Sequence, residues 1–324
     1  MKTNKRLFKA VLAALLVLCL SIPAMADTLS EIRLLNLESY SLEYRQPGST
    51  TPMDYEDSSL SFNLKFNFPR LQTDTDTPKA LREFVQHPSN ILLDLSIGDE
   101  GYSTTGWEQD TDSQTLGIGG MYYTPMGDWA TGIGLYITDT DGEGDSHPLG
   151  SLDNDLWSFT SSSKELRLQQ YIKGFVRLGL NVSQAEYEED GHNYLAASAW
   201  RYTTDMDGTA FNAEVNIRDK ASIYLGVSDE DWTDSDLDSW TVSETEFRVG
   251  FYLGKSVAIF LGMISEDEES LLYKASTDLV YLAPEFYIGD HVDIKLGFAS
   301  IDGSDNSNVT WEGDAFNASL GLKF

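Results

Sequence analysis

The last nine residues alternate without a break: Phe316, Ala318, Leu320, Leu322 and Phe324 stand between Asn317, Ser319, Gly321 and Lys323. Successive side chains of a β-strand point to opposite faces, so a period of two makes one apolar face and one polar face. The pattern recurs upstream. Leu60, Phe62, Leu64, Phe66 and Phe68 alternate with Ser61, Asn63, Lys65 and Asn67, and Phe211, Ala213, Val215 and Ile217 with Asn212, Glu214 and Asn216. Phe247, Val249, Phe251 and Leu253 repeat it against Glu246, Arg248, Gly250 and Tyr252. A sheet with lipid on one face and water on the other needs this alternation. In hydrocarbon such a sheet must also close on itself, because an open edge would leave unpaired backbone groups.

The other end supports export. Lys2, Lys5, Arg6 and Lys9 precede an apolar run from Ala10 to Ile22, and Ala24-Met25-Ala26 supplies a small-x-small cleavage pattern. Residues 1–26 therefore read as a signal peptide cleaved after Ala26, and residues 27–324 as a single domain. Leu18 fills the position where a lipidation signal before Cys19 wants a small residue. Cleavage removes Cys19, the one cysteine, so no disulfide framework is available. It also removes four of the 22 basic residues and none of the 52 acidic ones, leaving 18 against 52. Such acidity disfavours nucleic acid and anionic membrane surfaces as partners. No later segment approaches the ~18 consecutive apolar residues of a helical span.

Several segments run from an apolar stretch through Leu-Gly into acid, as in Ala221 to Asp231, Val257 to Asp267 and Val292 to Asp302. Each follows a tight turn such as Gly254-Lys255 or Gly289-Asp290. Short turns belong to the periplasmic side of an outer-membrane barrel and longer loops to the outside. On that basis the chain is all-β, a transmembrane antiparallel up-and-down barrel of about 14 strands, with 12 or 16 possible. Long acidic loops are expected near 46–57, 99–112, 139–155, 188–208, 229–239, 265–271 and 302–312. Tyr194 to Tyr202 is read as part of one of them.

With apolar residues on the lipid face, the in-between residues line the lumen. The expected lining is Glu43, Arg45, Lys65, Asp94, Glu165, Arg167, Arg177, Glu214, Arg218, Glu246, Arg248, Asp293 and Lys295, with Lys323 beside them. That makes a mixed, nearly neutral interior. Inward glycines such as Gly119, Gly262 and Gly321 are expected to leave open space, and a barrel of about fourteen strands is wider than side chains fill. Together these favour a water-filled passage.

The whole mature chain resembles the porin-like class of outer-membrane channels in its signal peptide, its alternating strands and its ending at Phe324. The resemblance implies residence in the cell outer membrane and passive diffusion of small hydrophilic solutes or ions. It also implies assembly through recognition of Phe324 by the barrel-assembly machinery, and contact with outer-membrane lipid and lipopolysaccharide. A non-conducting structural or adhesive barrel would show the same strands.

An enzyme reading rests on Asp229-Glu-Asp231-Trp232 and Asp145-Ser-His147, which resemble the acid and Asp/His motifs of omptin-type surface proteases, in reverse chain order. Asp139, Asp141, Glu143 and Asp145, with glycines between, are weak calcium candidates, since a hard cation wants oxygen ligands. No cofactor is expected beyond divalent cations at acidic loops.

One segment breaks the pattern. Between Phe68 and Asn90, Thr77 can cap a helix, Pro78 suits its first position, and Leu81, Phe84 and Val85 make one apolar stripe. Residues 77–87 are expected to pack at the periplasmic mouth and narrow it.

Overall fold

The computed structural model describes residues 29–49, 51–68, 77–148, 155–173, 175–193, 198–218, 220–235 and 238–323. The expected signal peptide and Phe324 lie outside the described residues. The chain forms β1 (Leu29–Arg45), β2 (Met53–Phe68), β3 (Ser89–Thr104), β4 (Trp107–Met126), β5 (Trp129–Pro148), β6 (Asp155–Ile172) and β7 (Val176–Asn193). It continues through β8 (Ser198–Ile217), β9 (Ala221–Asp234), β10 (Ser239–Leu253), β11 (Val257–Ser270), β12 (Lys274–Ile288), β13 (Val292–Asp305) and β14 (Thr310–Lys323). These fourteen strands pair in sequence order, all antiparallel, and β14 closes on β1.

Alternation sorts the two faces. Ile118 is 54%, Ile133 53%, Leu225 49% and Val280 63% exposed on the outer face. So much exposed aliphatic surface is tenable in lipid and not in water. The band ends abruptly: on β9, Ile223, Leu225 and Val227 point outward, and then Asp229, Asp231 and Thr233 do. It hugs the end of the barrel where β1 begins and β14 ends, and where every connection but the one after β2 is a turn of two or three residues, here called the inner end.

The strands outrun the membrane. β4 and β5 each have 20 residues, which at about 3.3 Å per residue is far longer than the ~25 Å apolar band. Most of the acidic sequence expected in loops is therefore strand. Residues 99–112 form the ends of β3 and β4 around a turn at Thr105-Gly106, and 188–208 are almost wholly β7 and β8. Tyr202, expected in a loop, lies in β8. Nothing in water penalises a polar strand whose backbone is already paired to both neighbours, so the ladders continue past the lipid.

A bulge corrects the first strand. The register of β1 against β14 slips between Arg33 and Leu35, so the in-out order reverses there. Below it Glu31 and Arg33 point inward; above it Tyr40, Leu42 and Tyr44 do. Glu43 and Arg45, expected in the lumen, stand on the outer face, where Arg45 meets Glu43 at 2.6 Å and Glu312 at 2.9 Å. Arg218 is also not lumenal: β8 ends at Ile217, and Arg218 is exposed in the following turn with φ 50°.

The segment after β2 re-enters the barrel. A 3-10 turn, Lys79–Leu81, runs into the short helix α1, Arg82–Gln86. Pro78 occupies the N-cap with φ −50° and ψ 139°, and no side chain caps it, so Thr77 does not play that part. Leu81 and Phe84 are buried with Ala130 of β5, Tyr171 of β6, Tyr252 of β10 and Ala258 of β11. Such a short helix has no stability of its own, and contacts on opposite walls supply what it lacks.

Candidate functional site

The lumen divides along its length. Every inward-facing Lys and Arg among the described residues (Arg33, Lys65, Arg167, Arg177, Arg248, Lys295 and Lys323) lies within about two turns of pleat from the inner end. Most of them meet an acid or a ring. Arg177 pairs with Glu214 at 2.7 Å and Lys295 with Glu285 at 3.0 Å. Arg167 pairs with Glu165 and lies 3.9 Å over the Tyr136 ring, and Arg248 lies 4.5 Å over Tyr224 beside Glu246. Asp94 accepts a hydrogen bond from Asn63. Asp293 is wholly buried between Lys323 at 3.6 Å and Arg33 at 3.9 Å, across the closing seam.

Sequence reasoning missed Glu31, Arg33 and Glu285 in this belt. The first two are hidden by the bulge, and Glu285 by Pro284, which interrupts the reading of β12 as a strand.

The outer half has another chemistry. Inward positions there carry Glu38, Asp57, Glu100, Glu230, Glu244 and Glu266, and no Lys or Arg among the described residues. Six of the seven tryptophans (Trp107, Trp157, Trp200, Trp232, Trp240 and Trp311) also fall on the inner face in this half. Trp232 stacks on Trp240 with ring centroids 5.8 Å apart and planes 8° from parallel. An average over the whole lumen had hidden this separation of sign.

The inward glycines are not holes. A Cβ on Gly119 would fall inside the Tyr136 ring, one on Gly262 inside Tyr281 and one on Gly303 inside Trp311. In each case the ring belongs to the neighbouring strand and lies flat over the glycine. At these positions the expected open space is filled by rings lying along the wall, which covers bare backbone and holds large side chains out of the axis, while at Gly321 it is filled by the Asp293 carboxylate.

Plug and wall shape the passage. Above the plug, a cavity of about 860 Å³ lies against β1–β3 and β11–β14. Around the plug remain three smaller spaces of about 330, 280 and 310 Å³. Lys79 and Arg82 tie the plug to Asp290 in the β12–β13 turn at 3.3 and 3.2 Å. Those donors, Lys79 first, hold the Asp290 carboxyl below the usual carboxylate range. His87, at φ 46°, packs 3.9 Å from the Tyr171 ring, and burial lowers its pKa to about 4.

The other candidate motifs do not assemble. Asp229 and Asp231 lie on the outer face of β9, accepting hydrogen bonds from Ser243 and Thr241. His147 lies on β5, 3.5 Å from Asp145, with three strands between it and β9. Asp139, Asp141, Glu143 and Asp145 belong to β5 rather than a loop. They are strung along one face of an extended strand, so they do not wrap a cation. Among the described residues no group of three or more His, Cys, Asp or Glu is arranged to hold a metal ion.

A closed antiparallel barrel with an outward apolar band and a polar lumen is the observation that decides its class. The fold is that of an outer-membrane β-barrel. Solved structures agree. A Pseudomonas aeruginosa FadL homologue superposes with a TM-score of 0.60 at 8% identity, over 92% of this chain and 90% of that one. The P. putida toluene transporter TodX gives 0.52 at 7% identity, over 91% and 89%. The translocator domain of autotransporter NalP from Neisseria meningitidis gives 0.51 at 9% identity, over 99% and 98%. At these identities the likeness is one of fold. No family model and no curated protein matches the chain.

Proposed function

We propose that this outer-membrane barrel is a passive channel for small polar solutes or ions, with an inner mouth narrowed by its resident plug. The observation that carries the reading is unfilled space in the lumen on both sides of the belt. A cavity of about 860 Å³ in the outer lumen shares Glu285 and Lys295 with a smaller space beside the plug. A barrel serving stability alone would gain by filling that volume with side chains. Solved barrels of similar fold include ones described as transporters, which supports the class of activity and not the solute.

A protease reading lacks support in the geometry, since His147 and Asp231 sit on separate strands of the outer face. The outward carboxylates above the apolar band suit divalent bridging to lipopolysaccharide phosphates, and the alternation of β14 up to Leu322 suits recognition of Phe324 during assembly. Both belong to the same proposal.

The test is conductance of the refolded protein in a planar bilayer. Discrete steps are expected, with larger steps when residues 72–87 are replaced by a short turn. Electrical silence of both proteins would overturn the channel and leave a structural or adhesive barrel.

A further inference from the structure

The outer cavity is too particular for a mere vestibule. Tyr40 meets Tyr55 edge-on, with centroids 5.6 Å apart and planes at 79°, and Tyr55 meets Tyr102 at 4.6 Å. Tyr44 leans on Trp311 at 5.7 Å. Tyr40, Tyr44, Tyr55 and Trp311 pack against Leu42 and Ile301, 3% and 1% exposed, which supports them as an aromatic wall.

Three carboxylates line the same cavity, Glu38 and Asp57 on the wall and Glu285 at the floor. Glu38 accepts hydrogen bonds from the amides of Asn36 and Asn317, both at 3.0 Å, so it is oriented without being neutralised. The one cation on the lining, Lys295, is at the floor and already bound to Glu285 at 3.0 Å. The wall therefore combines ring faces, which carry negative potential, with carboxylates and no free positive charge among the described residues.

We propose that this cavity is a binding site for small organic cations, amines or quaternary ammonium compounds. Ring faces attract a weakly hydrated cation, and a carboxylate in a partly enclosed space adds charge complementarity. The same wall disfavours an anion, which would meet the rings and acids with its charge repelled. A neutral hydrocarbon would leave Glu38 and Asp57 covered without a partner, at a cost. As a statement about the permeant solute, the proposal rests on the channel reading above; the binding site itself does not require conduction.

The full chain, refolded in detergent micelles, is titrated calorimetrically with benzyltrimethylammonium, benzyl alcohol and benzoate in parallel. The cation is expected to bind saturably and at least tenfold more tightly than either of the others, with affinity falling as salt rises. The double variant Glu38→Gln, Asp57→Asn is expected to weaken the cation at least tenfold, and Tyr55→Leu independently to do the same. Tyr55→Leu keeps the test open should the double variant fail to fold. Equal affinity for all three probes, absence of saturable binding, or unchanged affinity in a folded variant would overturn the site. Binding by a protein that is silent in bilayers would overturn the channel and not the site, whereas conductance without cation binding would do the reverse.

Discussion

At Gly321 a hydrogen atom faces the most buried carboxylate of the barrel. A Cβ there would come 2.6 Å from Asp293 Oδ2, and Asp293 cannot retreat because Lys323 and Arg33 hold it across the seam between β14, β13 and β1. Gly321→Ala is expected to cost about 1–3 kcal/mol through overpacking, read as a lower temperature at which the folded band of the refolded protein disappears on a gel. A wild-type transition would show that the seam tolerates looser charge packing. The face assignment has its own test. Val249 lies outward between Ile223 and Leu261, so Val249→Arg should cost roughly 2–4 kcal/mol near the bilayer midplane. Asn181→Arg, on the lumenal face of β7, should fold nearly as well as wild type and shift ion selectivity. Equal folding losses for the two would mean that the faces are assigned wrongly. Asn216 also points inward, but at 6% exposure it has no room for a longer side chain.

The element that changes most between sequence and structure is the plug. Its apolar stripe was readable, because Leu81, Phe84 and Val85 have helical spacing and Pro88 stops continuation. Its cap was not: Pro78 itself takes the extended N-cap conformation. The plug also carries a proton-dependent weak point. His87 is neutral in the folded protein, with a pKa of about 4 against an ordinary value near 6.5. A depressed value favours the packed plug above pH 6.5, and that advantage drains away as pH falls from 6.5 towards 4. The Asp290 latch acts at lower pH, since its carboxyl stays charged until pH drops below the depressed value. Current noise and open-state conductance are therefore expected to rise between pH 6.5 and 4, and His87→Phe should flatten that rise. A pH response identical in wild type and His87→Phe would remove His87 from the account.

At the scale of the whole molecule, the separation of charge along the lumen predicts behaviour that no single residue shows. The outer half concentrates cations, while the inner belt, whose bases are matched by as many acids, enriches neither sign. When the outer side is positive, cations cross the acidic half more readily than the neutral one and anions are held back where the two meet, so both accumulate there and current rises. With the opposite polarity both are depleted. Single-channel current at low salt is expected to be larger for outer-positive potentials, and the asymmetry should fade as salt shortens the screening length from ~30 Å at 0.01 M to ~3 Å at 1 M. Symmetric current at low salt would contradict the segregated lumen.

How much of this was legible depends on the range of the physics. Alternation with period two is local, and lipid on one side with water on the other forces it, so strand identity, closure and the inward facing of Lys65, Arg167, Arg248 and Lys295 follow from neighbours in sequence, whereas the local pattern allowed 12, 14 or 16 strands and pairing around the barrel made it fourteen. The facing of Glu43 and Arg45 depends on one bulge near Leu34, whose cost and benefit are set by pairing with β14, almost three hundred positions away. That glycines are covered rather than open depends on which residue lies opposite across a ladder. Sorting of the rings and acids to one end depends on where each strand crosses the lipid, which the chain reveals only when all fourteen strands share one axis. The sequence by itself determined that the chain must close into a barrel, because unpaired edges are untenable in hydrocarbon. Only the tertiary structure decided what the closed wall surrounds, because register, bulge and plug are settled by contacts between residues far apart in the chain.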